Sequence, residues 1–171
     1  VAALVARGVD PVIVSDFNAE RRDLACRSFG AHVAVDPAER SPFDVLRELR
    51  AERGKWGPAV IFECVGAPGL IGGIVDSVDM GTRIYCAGGW YTGDALDITA
   101  ATRQGVTIQF GGGPMPQDWY GTLDAISAGR LDPLPSVGSV IGLDEVPEAL
   151  DLARRSEGPP RIVVHPNGDP R

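Results

Sequence analysis

The segment Asp10–Asp16 constrains the fold more than any other stretch of the 171-residue chain. Four small or β-branched residues run from Val12 to Ser15, and Asp16 and a polar helix start follow at once. Such a run, without alternation, is typical of a buried parallel strand. In dinucleotide-binding folds, a carboxylate at the carboxyl end of the second strand binds the two hydroxyls of an adenosine ribose. Asp16 is therefore a candidate ribose ligand; the alternative is that it only caps the next helix.

Short apolar strands alternate with helices along the first two thirds of the chain. The strands are predicted at Pro11–Ser15, Ala31–Asp36, Ala59–Val65, Arg83–Ala87 and Gly105–Phe110. The helices between them are predicted at Asn18–Phe29, from Ser41 to about Arg53, and at Leu70–Val78. This order predicts an α/β fold with a doubly wound parallel sheet, which binds ligands at the carboxyl ends of its strands.

Glycines stand at several of those carboxyl ends, namely Gly66, Gly88–Gly89 and Gly111. A glycine has no Cβ, so its backbone can approach a flat ligand closely. Turn formation explains any single glycine equally well. Their recurrence at equivalent places favours a ligand cleft.

The last third of the chain has a different pattern. A helix is predicted at Pro116–Ala128 with Trp119, Leu123 and Ile126 facing inward, and a loop from Arg130 to Gly142. A further helix from Leu143 to about Arg155 and a strand from Arg161 complete the chain. We therefore expect a partial dinucleotide-binding domain at residues 1–113 and a helix–loop–helix–strand segment at residues 114–171.

Composition excludes several kinds of protein. The formal net charge is −7 without a block of five like charges, which argues against a nucleic-acid partner. No apolar run is long enough to span a bilayer, so no membrane association is expected. The three isolated cysteines, Cys26, Cys64 and Cys86, suit a reducing cytoplasm and are predicted to be small core residues. The two histidines, His32 and His165, are interpreted as polar residues at strand ends.

The ordered motifs resemble the carboxyl-terminal half of a medium-chain, zinc-dependent alcohol dehydrogenase. The resemblance covers almost the whole chain and rests on Val12–Asp16 with Glu20–Arg22, Phe29–Ala31, Phe62–Gly66, Gly81–Gly88, Ala128–Pro133, and Leu143–Leu150 before Arg161–Val164. It implies a Rossmann-like sheet and hydride transfer between a small alcohol or aldehyde and a nicotinamide. It also implies a homo-oligomer that pairs Val106–Phe110 edge to edge.

The resemblance assigns roles to residues near the first strand end. Asp16 matches the acid that takes the ribose hydroxyls, and Arg21 matches a cation near the same ribose. A carboxylate repels a 2′-phosphate, so Asp16 favours NAD over NADP. The neighbouring cations Arg21 and Arg22 weaken that preference.

The resemblance also assigns roles further along the chain. Val65 and Gly66 match the strand end that lines the adenine and nicotinamide cleft, and Ala87 and Gly88 match backbone that meets the nicotinamide carboxamide. Arg161 matches a basic position that reaches the pyrophosphate; a solvated charge at a strand start is the alternative.

Several parts of the family pattern lie outside this sequence. The glycine-rich phosphate loop is expected about 20 residues before Asp16, which is before Val1. The first strand and the domain with the zinc ligands are missing as well, and no residue here corresponds to a zinc ligand. We therefore predict an NAD-binding portion without catalytic residues of its own. Trp90, Tyr91 and Trp119 are aromatic residues that could border a substrate pocket or simply pack.

Without its first strand, the sheet has a gap between Pro11–Ser15 and Ala59–Cys64. Each unpaired buried backbone group costs about 1–3 kcal/mol. Domain stability is only about 5–15 kcal/mol. The sequence therefore predicts a chain that folds poorly, closes the gap by pairing these strands, or needs the missing part.

Three alternatives remain open at this stage. A zinc-free quinone reductase usually prefers NADPH and lacks the acid at position 16. A methyltransferase also places an acid after its second strand but ends in an antiparallel hairpin. The third alternative is a truncated, inactive fragment or a dimerising scaffold.

Overall fold

The computed structural model describes residues 1–54, 56–89, 93–155 and 158–167. The chain divides into two compact units, residues 1–44 with 116–171 and residues 45–115. Trp90 and Tyr91, two of the predicted pocket residues, lie outside the described residues.

The helices and strands alternate in chain order. The helices are α1 (Ala2–Val5), α2 (Ala19–Arg27), α3 (Pro42–Arg53), α4 (Leu70–Ser77), α5 (Ile98–Gln104), α6 (Pro116–Ser127) and α7 (Val146–Arg154). The strands are β1 (Ile13–Ser15), β2 (Val33–Val35), β3 (Val60–Glu63), β4 (Arg83–Cys86), β5 (Thr107–Phe110), β6 (Val137–Ile141) and β7 (Arg161–Val164).

In the first unit, β1 and β2 pair in parallel with Ile13 opposite Val33. His32 fixes this pairing from the side where the strands begin. The imidazole Nδ1 of His32 accepts the backbone N–H of Val12 at 3.0 Å. The backbone N–H of His32 donates to the carbonyl of Val12 at 2.9 Å. Its Nε2 lies 3.3 Å from Asp10 Oδ1. The predicted polar strand-end residue therefore anchors β1 to β2.

Helix α2 begins at Asn18, whose side chain accepts the N–H of Arg21 at 3.1 Å. Its end is followed by Gly30 at φ +72°, a conformation that side chains rarely adopt. Asn18, and not Asp16, is the N-cap of this helix. The interpretation of Asp16 as the cap is therefore wrong.

The tail contains a strand where a loop was predicted between Arg130 and Gly142. Strand β6 pairs in parallel with β7, and α7 connects them. Prolines and glycines in this stretch, including Pro133, Pro135 and Gly138, are why the sequence suggested a loop. The structure explains the glycine: a Cβ at Gly138 would lie 2.1 Å from Pro159 Cβ.

The predicted inward face of α6 is exposed. Trp119, Leu123 and Ile126 are 60%, 58% and 37% accessible, so the expectation that they face a core is wrong for this chain. Their helical spacing predicts burial, but in the described residues this face is left uncovered.

The second unit is built on a three-stranded parallel sheet in the order β3–β4–β5. Val60 lies opposite Arg83, and Arg83 lies opposite Thr107. The unit's core is formed by buried residues of α4 and β4, including Ile71, Ile74, Val75, Ile84 and Cys86. Buried Arg50 closes one side with an ion pair to Asp79 at 2.9 Å.

Helix α5 is an additional element that the sequence analysis did not predict. The side chain of Asp97 accepts the N–H groups of Thr99 and Ala100, and Gly105 ends the helix at φ +57°. These two residues are ordinary start and stop signals.

The strands that flank the predicted gap belong to separate sheets. Among the described residues, β1 pairs with β2 and β3 pairs with β4. Val60 and Phe62 on β3 are 55% and 48% exposed. The three predicted outcomes for the gap stay predictions. No helix within the described ranges is long and apolar enough to cross a membrane.

Candidate functional site

The carboxyl end of β1 presents Asp16 in a defined orientation. Its Oδ1 accepts the N–H of Asn18 at 2.8 Å, and its own N–H donates to the carbonyl of Val35 at 3.3 Å. Among the described residues, its second oxygen has no hydrogen-bond partner. One oxygen thus fixes the side chain, and the other can accept a hydrogen bond from a ligand.

Arg21 lies on the first turn of α2, five residues after Asp16. Its Nε is buried and, within the described part of the chain, makes no hydrogen bond. A buried N–H without a partner is costly, so such groups usually serve a ligand or a water. Arg21 is therefore suited to an acceptor that the chain itself does not supply.

Arg22 joins the ends of β1 and β2. Its Nη1 donates to the carbonyls of Asp16 at 2.8 Å and Phe17 at 2.9 Å, and pairs with Asp36 Oδ2 at 2.9 Å. Sequence analysis treated Arg22 only as a nearby cation. The ion pair with Asp36 depends on the strand register and has no signature in the sequence.

The second unit gathers four predicted site residues around one buried carboxylate. Glu63 is 3% exposed, and its Oε1 accepts the N–H groups of Val65 at 2.6 Å and Gly66 at 2.8 Å. Its backbone carbonyl accepts the N–H groups of Ala87 at 2.7 Å and Gly88 at 3.0 Å. Glu63 thus holds the ends of β3 and β4 together.

Glu63 lies in the motif Phe62–Gly66, but the sequence did not predict it as a site residue. A signal was available: it is the one acid within an otherwise apolar strand, three residues before a glycine. A carboxylate in that position must find donors when it is buried.

Gly66 and Gly88 approach each other closely. A Cβ on Gly88 would lie 2.4 Å from the nitrogen of Gly66 and 2.8 Å from Glu63 Oε2. Gly66 itself has φ +75°. Both glycines are therefore required by the local backbone, which supports close packing as the reason for Gly88 and turn geometry as the reason for Gly66.

Gly111 ends β5 against Tyr85. Its N–H donates to the carbonyl of Cys86 at 2.8 Å, and a Cβ there would lie 2.9 Å from the Tyr85 hydroxyl oxygen. A side chain at Gly111 would therefore require the Tyr85 ring to move.

Cys64 follows Glu63 and is exposed, while Cys86 is buried. The prediction that the cysteines are core residues is therefore wrong for Cys64, which lies at the end of β3. Partial desolvation and, second, the charge of Glu63 raise the pKa of the Cys64 thiol above its ordinary value. The thiol is therefore a poor nucleophile at neutral pH.

Arg161 is exposed at the start of β7, opposite Val137. The cleft between α7 and this sheet has a volume of about 250 Å³ and is lined mainly by apolar side chains, with Arg161 among its lining residues. Arg161 lines this cleft but stays exposed to solvent, so its charge is accessible.

The sequence matches the family model described as zinc-binding dehydrogenase over residues 1–128. That range is most of the chain. The chain belongs to the zinc-binding dehydrogenase family. The predicted family is confirmed, and the methyltransferase alternative is wrong, in agreement with the parallel pairing of β6 and β7.

Within the described residues of this chain, no three His, Cys, Asp or Glu side chains form a group that could hold a metal ion. These residues do not fit the metal of the family name, and no zinc-dependent step is assigned to them.

D-Xylulose reductase from Morganella morganii is 28% identical to this chain over 152 residues, which cover 87% of the chain and 43% of the reductase. The chain spans about two fifths of the length of the curated relatives that it matches.

Two solved structures share the fold. A short chain alcohol dehydrogenase from Escherichia coli CFT073, in complex with NADH, has a TM-score of 0.74 at 21% identity and is matched over 90% of this chain and 44% of its own. A zinc-binding dehydrogenase from Sinorhizobium meliloti 1021, bound to NADP, has a TM-score of 0.68 at 20% identity, with 92% and 46% covered. The predicted Rossmann-like fold is confirmed.

Proposed function

We propose that this chain is the cofactor-binding portion of an NAD(H)-dependent, alcohol dehydrogenase-like oxidoreductase. The proposal rests on membership of the zinc-binding dehydrogenase family and on the geometry of the strand ends. When bound, the nicotinamide would accept or donate the hydride, and a small alcohol or aldehyde would be its partner in the reaction.

The observation that carries the proposal is the carboxylate of Asp16 at the carboxyl end of β1. Oδ1 is held by the N–H of Asn18, and the remaining oxygen is oriented without a partner among the described residues. Two ribose hydroxyls are suitable donors to such a group, and a 2′-phosphate is repelled by it. The arrangement therefore favours NAD over NADP.

The other residues of this unit extend the same proposal. The buried Nε of Arg21 lacks a partner in the described chain, so an adenosine ribose or its neighbouring oxygens would satisfy it. Arg161, exposed on β7, is proposed to reach the pyrophosphate, on the strength of the family resemblance.

In the second unit, Val65, Gly66, Ala87 and Gly88 are proposed to offer their backbone to the planar parts of the cofactor. Glu63 fixes the peptide groups of all four residues, Gly88 leaves no room for a side chain, and Gly66 has a positive φ that side chains rarely adopt. Backbone held in this way is preorganised, which reduces the entropy lost on binding.

Domain limits and location are proposed on the same basis. We propose a division at residues 113 and 114, with residues 114–171 packing on a catalytic domain of the longer protein. A cytoplasmic location follows from the isolated cysteines.

We further propose that the protein forms a homo-oligomer through β5. Among the described strands, β5 pairs only with β4. Thr107 and Gly111 donate toward β4, so the alternate residue Ile108 directs its backbone toward the free edge. Ile108→Pro should yield monomers in sedimentation experiments, whereas Ile108→Ala should retain the oligomer. Equal oligomerisation of both variants would contradict edge pairing.

The cofactor proposal is tested by NADH binding, measured by calorimetry, on the wild type and on Asp16→Ala. We expect the variant to bind about ten- to a hundredfold more weakly, because hydrogen bonds to a charged group contribute about 1.5–3 kcal/mol each. Asp16→Asn keeps the acceptor for Asn18 but removes the charge, so it should lose less NADH affinity than Asp16→Ala while binding NADPH more tightly than the wild type does.

Asp23→Asn provides the matched control. Asp23 lies on α2 and pairs with Arg27, so its replacement removes one negative charge away from the strand end. Wild-type NADH affinity in a folded Asp16→Ala variant would disprove the ribose assignment. A folded wild type that binds neither cofactor would favour the inactive fragment or scaffold, and a preference for NADPH would favour a quinone reductase.

A further inference from the structure

An ion pair bridges the ends of β1 and β2 next to Asp16. Arg22 contacts Asp36 Oδ2 at 2.9 Å and donates to the carbonyl of Asp16 itself at 2.8 Å. The two side chains are only 20% and 19% exposed, so this pair is more shielded from solvent than the pair of Arg27 and Asp23 on the same helix, at 77% and 45%. A shielded pair interacts more strongly than a surface one.

Asp36 is itself held in place by the chain that follows it. Its Oδ1 accepts the N–H of Ala38 at 2.9 Å, and its carbonyl accepts the N–H groups of Glu39 and Arg40. Both carboxylate oxygens are therefore engaged, one in the turn and one with Arg22. This turn fixes the guanidinium of Arg22 at the strand ends.

The local charges set what this position can accept. Asp16 and Asp36 carry two negative charges, and Arg21 and Arg22 carry two positive charges, so the four groups sum to zero. Removal of the Asp36 charge would leave a sum of +1 beside Asp16. A doubly charged 2′-phosphate would gain from this change, whereas two ribose hydroxyls would gain little.

We propose that Asp36 is a specificity-determining positioning residue: through its ion pair with Arg22 it neutralises the cation that binds the carbonyl of Asp16, and thereby keeps the protein selective for NAD(H). This inference rests on the proposed cofactor function. It assigns the preference to the pair Asp36–Arg22 in addition to Asp16, and it explains how two adjacent arginines are compatible with an NAD site.

The test compares NADH and NADPH dissociation constants, measured by calorimetry without substrate, in the wild type and two single variants. Asp36→Asn keeps the acceptor for Ala38 and removes the charge, so it should tighten NADPH binding about tenfold and change NADH binding by less than about twofold. Arg22→Met leaves Asp36 uncompensated and should weaken NADPH binding by a similar factor. The double variant should return to the wild-type ratio.

Asp23→Asn is again the matched control, since it removes the same charge from the exposed pair on α2 and should leave the ratio unchanged. An Asp36→Asn ratio equal to that of the wild type, or a shift of the same size in Asp23→Asn, would overturn the inference. If Asp36→Asn unfolds below the assay temperature, the opposite shift in Arg22→Met decides the question. Absence of NADH binding in a folded wild type would instead disprove the proposed function itself.

Discussion

The strand ends of the two units are built in different ways. In the first unit, the ends of β1 and β2 are joined by charged side chains, with Arg22 between Asp36 and the carbonyl of Asp16. In the second unit, one buried carboxylate, Glu63, binds backbone N–H groups, and glycines allow the strands to approach. The first arrangement is held together by charges and the second by close backbone contact.

This difference has consequences for how each region tolerates change. The charge cluster keeps some contact with water, since its paired side chains are about one fifth exposed, so the loss of one member should cost less than at a fully buried site. A close backbone contact around a buried carboxylate tolerates change less well. An added atom there meets backbone, and a lost acceptor leaves a buried N–H unpaired. Substitutions in the second unit should therefore reduce stability, whereas those in the first should mainly alter selectivity.

The largest effect is expected for Glu63→Ala. It leaves the N–H groups of Val65 and Gly66 without their acceptor; the buried N–H of Gly66 then costs about 1–3 kcal/mol, and that of the exposed Val65 costs less because water reaches it. The free energy of unfolding, measured with urea, should fall by about 2–4 kcal/mol. Glu63→Gln retains one acceptor oxygen and should lose less; equal stability of Glu63→Ala and the wild type would show that this carboxylate is not what holds the strand ends.

A smaller loss is expected for Gly88→Ala. The added Cβ would lie 2.4 Å from the nitrogen of Gly66, so the backbone must shift, and overpacking of this kind costs about 1–3 kcal/mol. Gly89→Ala is the matched control, because a Cβ at Gly89 would meet no atom within 4 Å. Thermal unfolding should separate the two variants, and an equal melting temperature would refute the close contact.

The sequence was sufficient where the structure depends on local patterns. The apolar runs located β1 to β5, and Asp16 stood out because it directly follows a strand. It was insufficient where the structure depends on contacts between distant residues. Prolines and glycines made the stretch around β6 resemble a loop, whereas the close approach of Pro159 to Gly138, 21 residues away in sequence, leaves no local pattern. The pair Arg22–Asp36 likewise depends on the register of β1 and β2.

The exposed face of α6 shows a second reason why prediction from the sequence fails. Trp119, Leu123 and Ile126 have the spacing of a buried face, and the pattern alone cannot say what covers it. The site in the second unit was predicted in part. Its glycines were predicted from their places at strand ends, but the role of Glu63 became clear only from its hydrogen bonds.

The smallest effect is expected for the alkylation rate of Cys64, which tests whether the charge of Glu63 acts on the neighbouring thiol. Desolvation and, second, the charge of Glu63 raise the pKa of Cys64 above its ordinary value of 9.0. The folded protein therefore retains this proton more tightly than the unfolded chain, so the contribution of Cys64 to stability is present below about pH 9 and is lost as pH rises further.

At pH 8, alkylation of Cys64, followed by mass spectrometry, should be slower than that of an unstructured cysteine peptide. Glu63→Gln should accelerate it modestly, because the charge is only the second cause, and Cys64→Ser identifies the labelled peptide. An unchanged rate in a folded Glu63→Gln variant would mean that the Glu63 carboxylate acts on its neighbours through hydrogen bonds alone, without the charge effect inferred for this strand end.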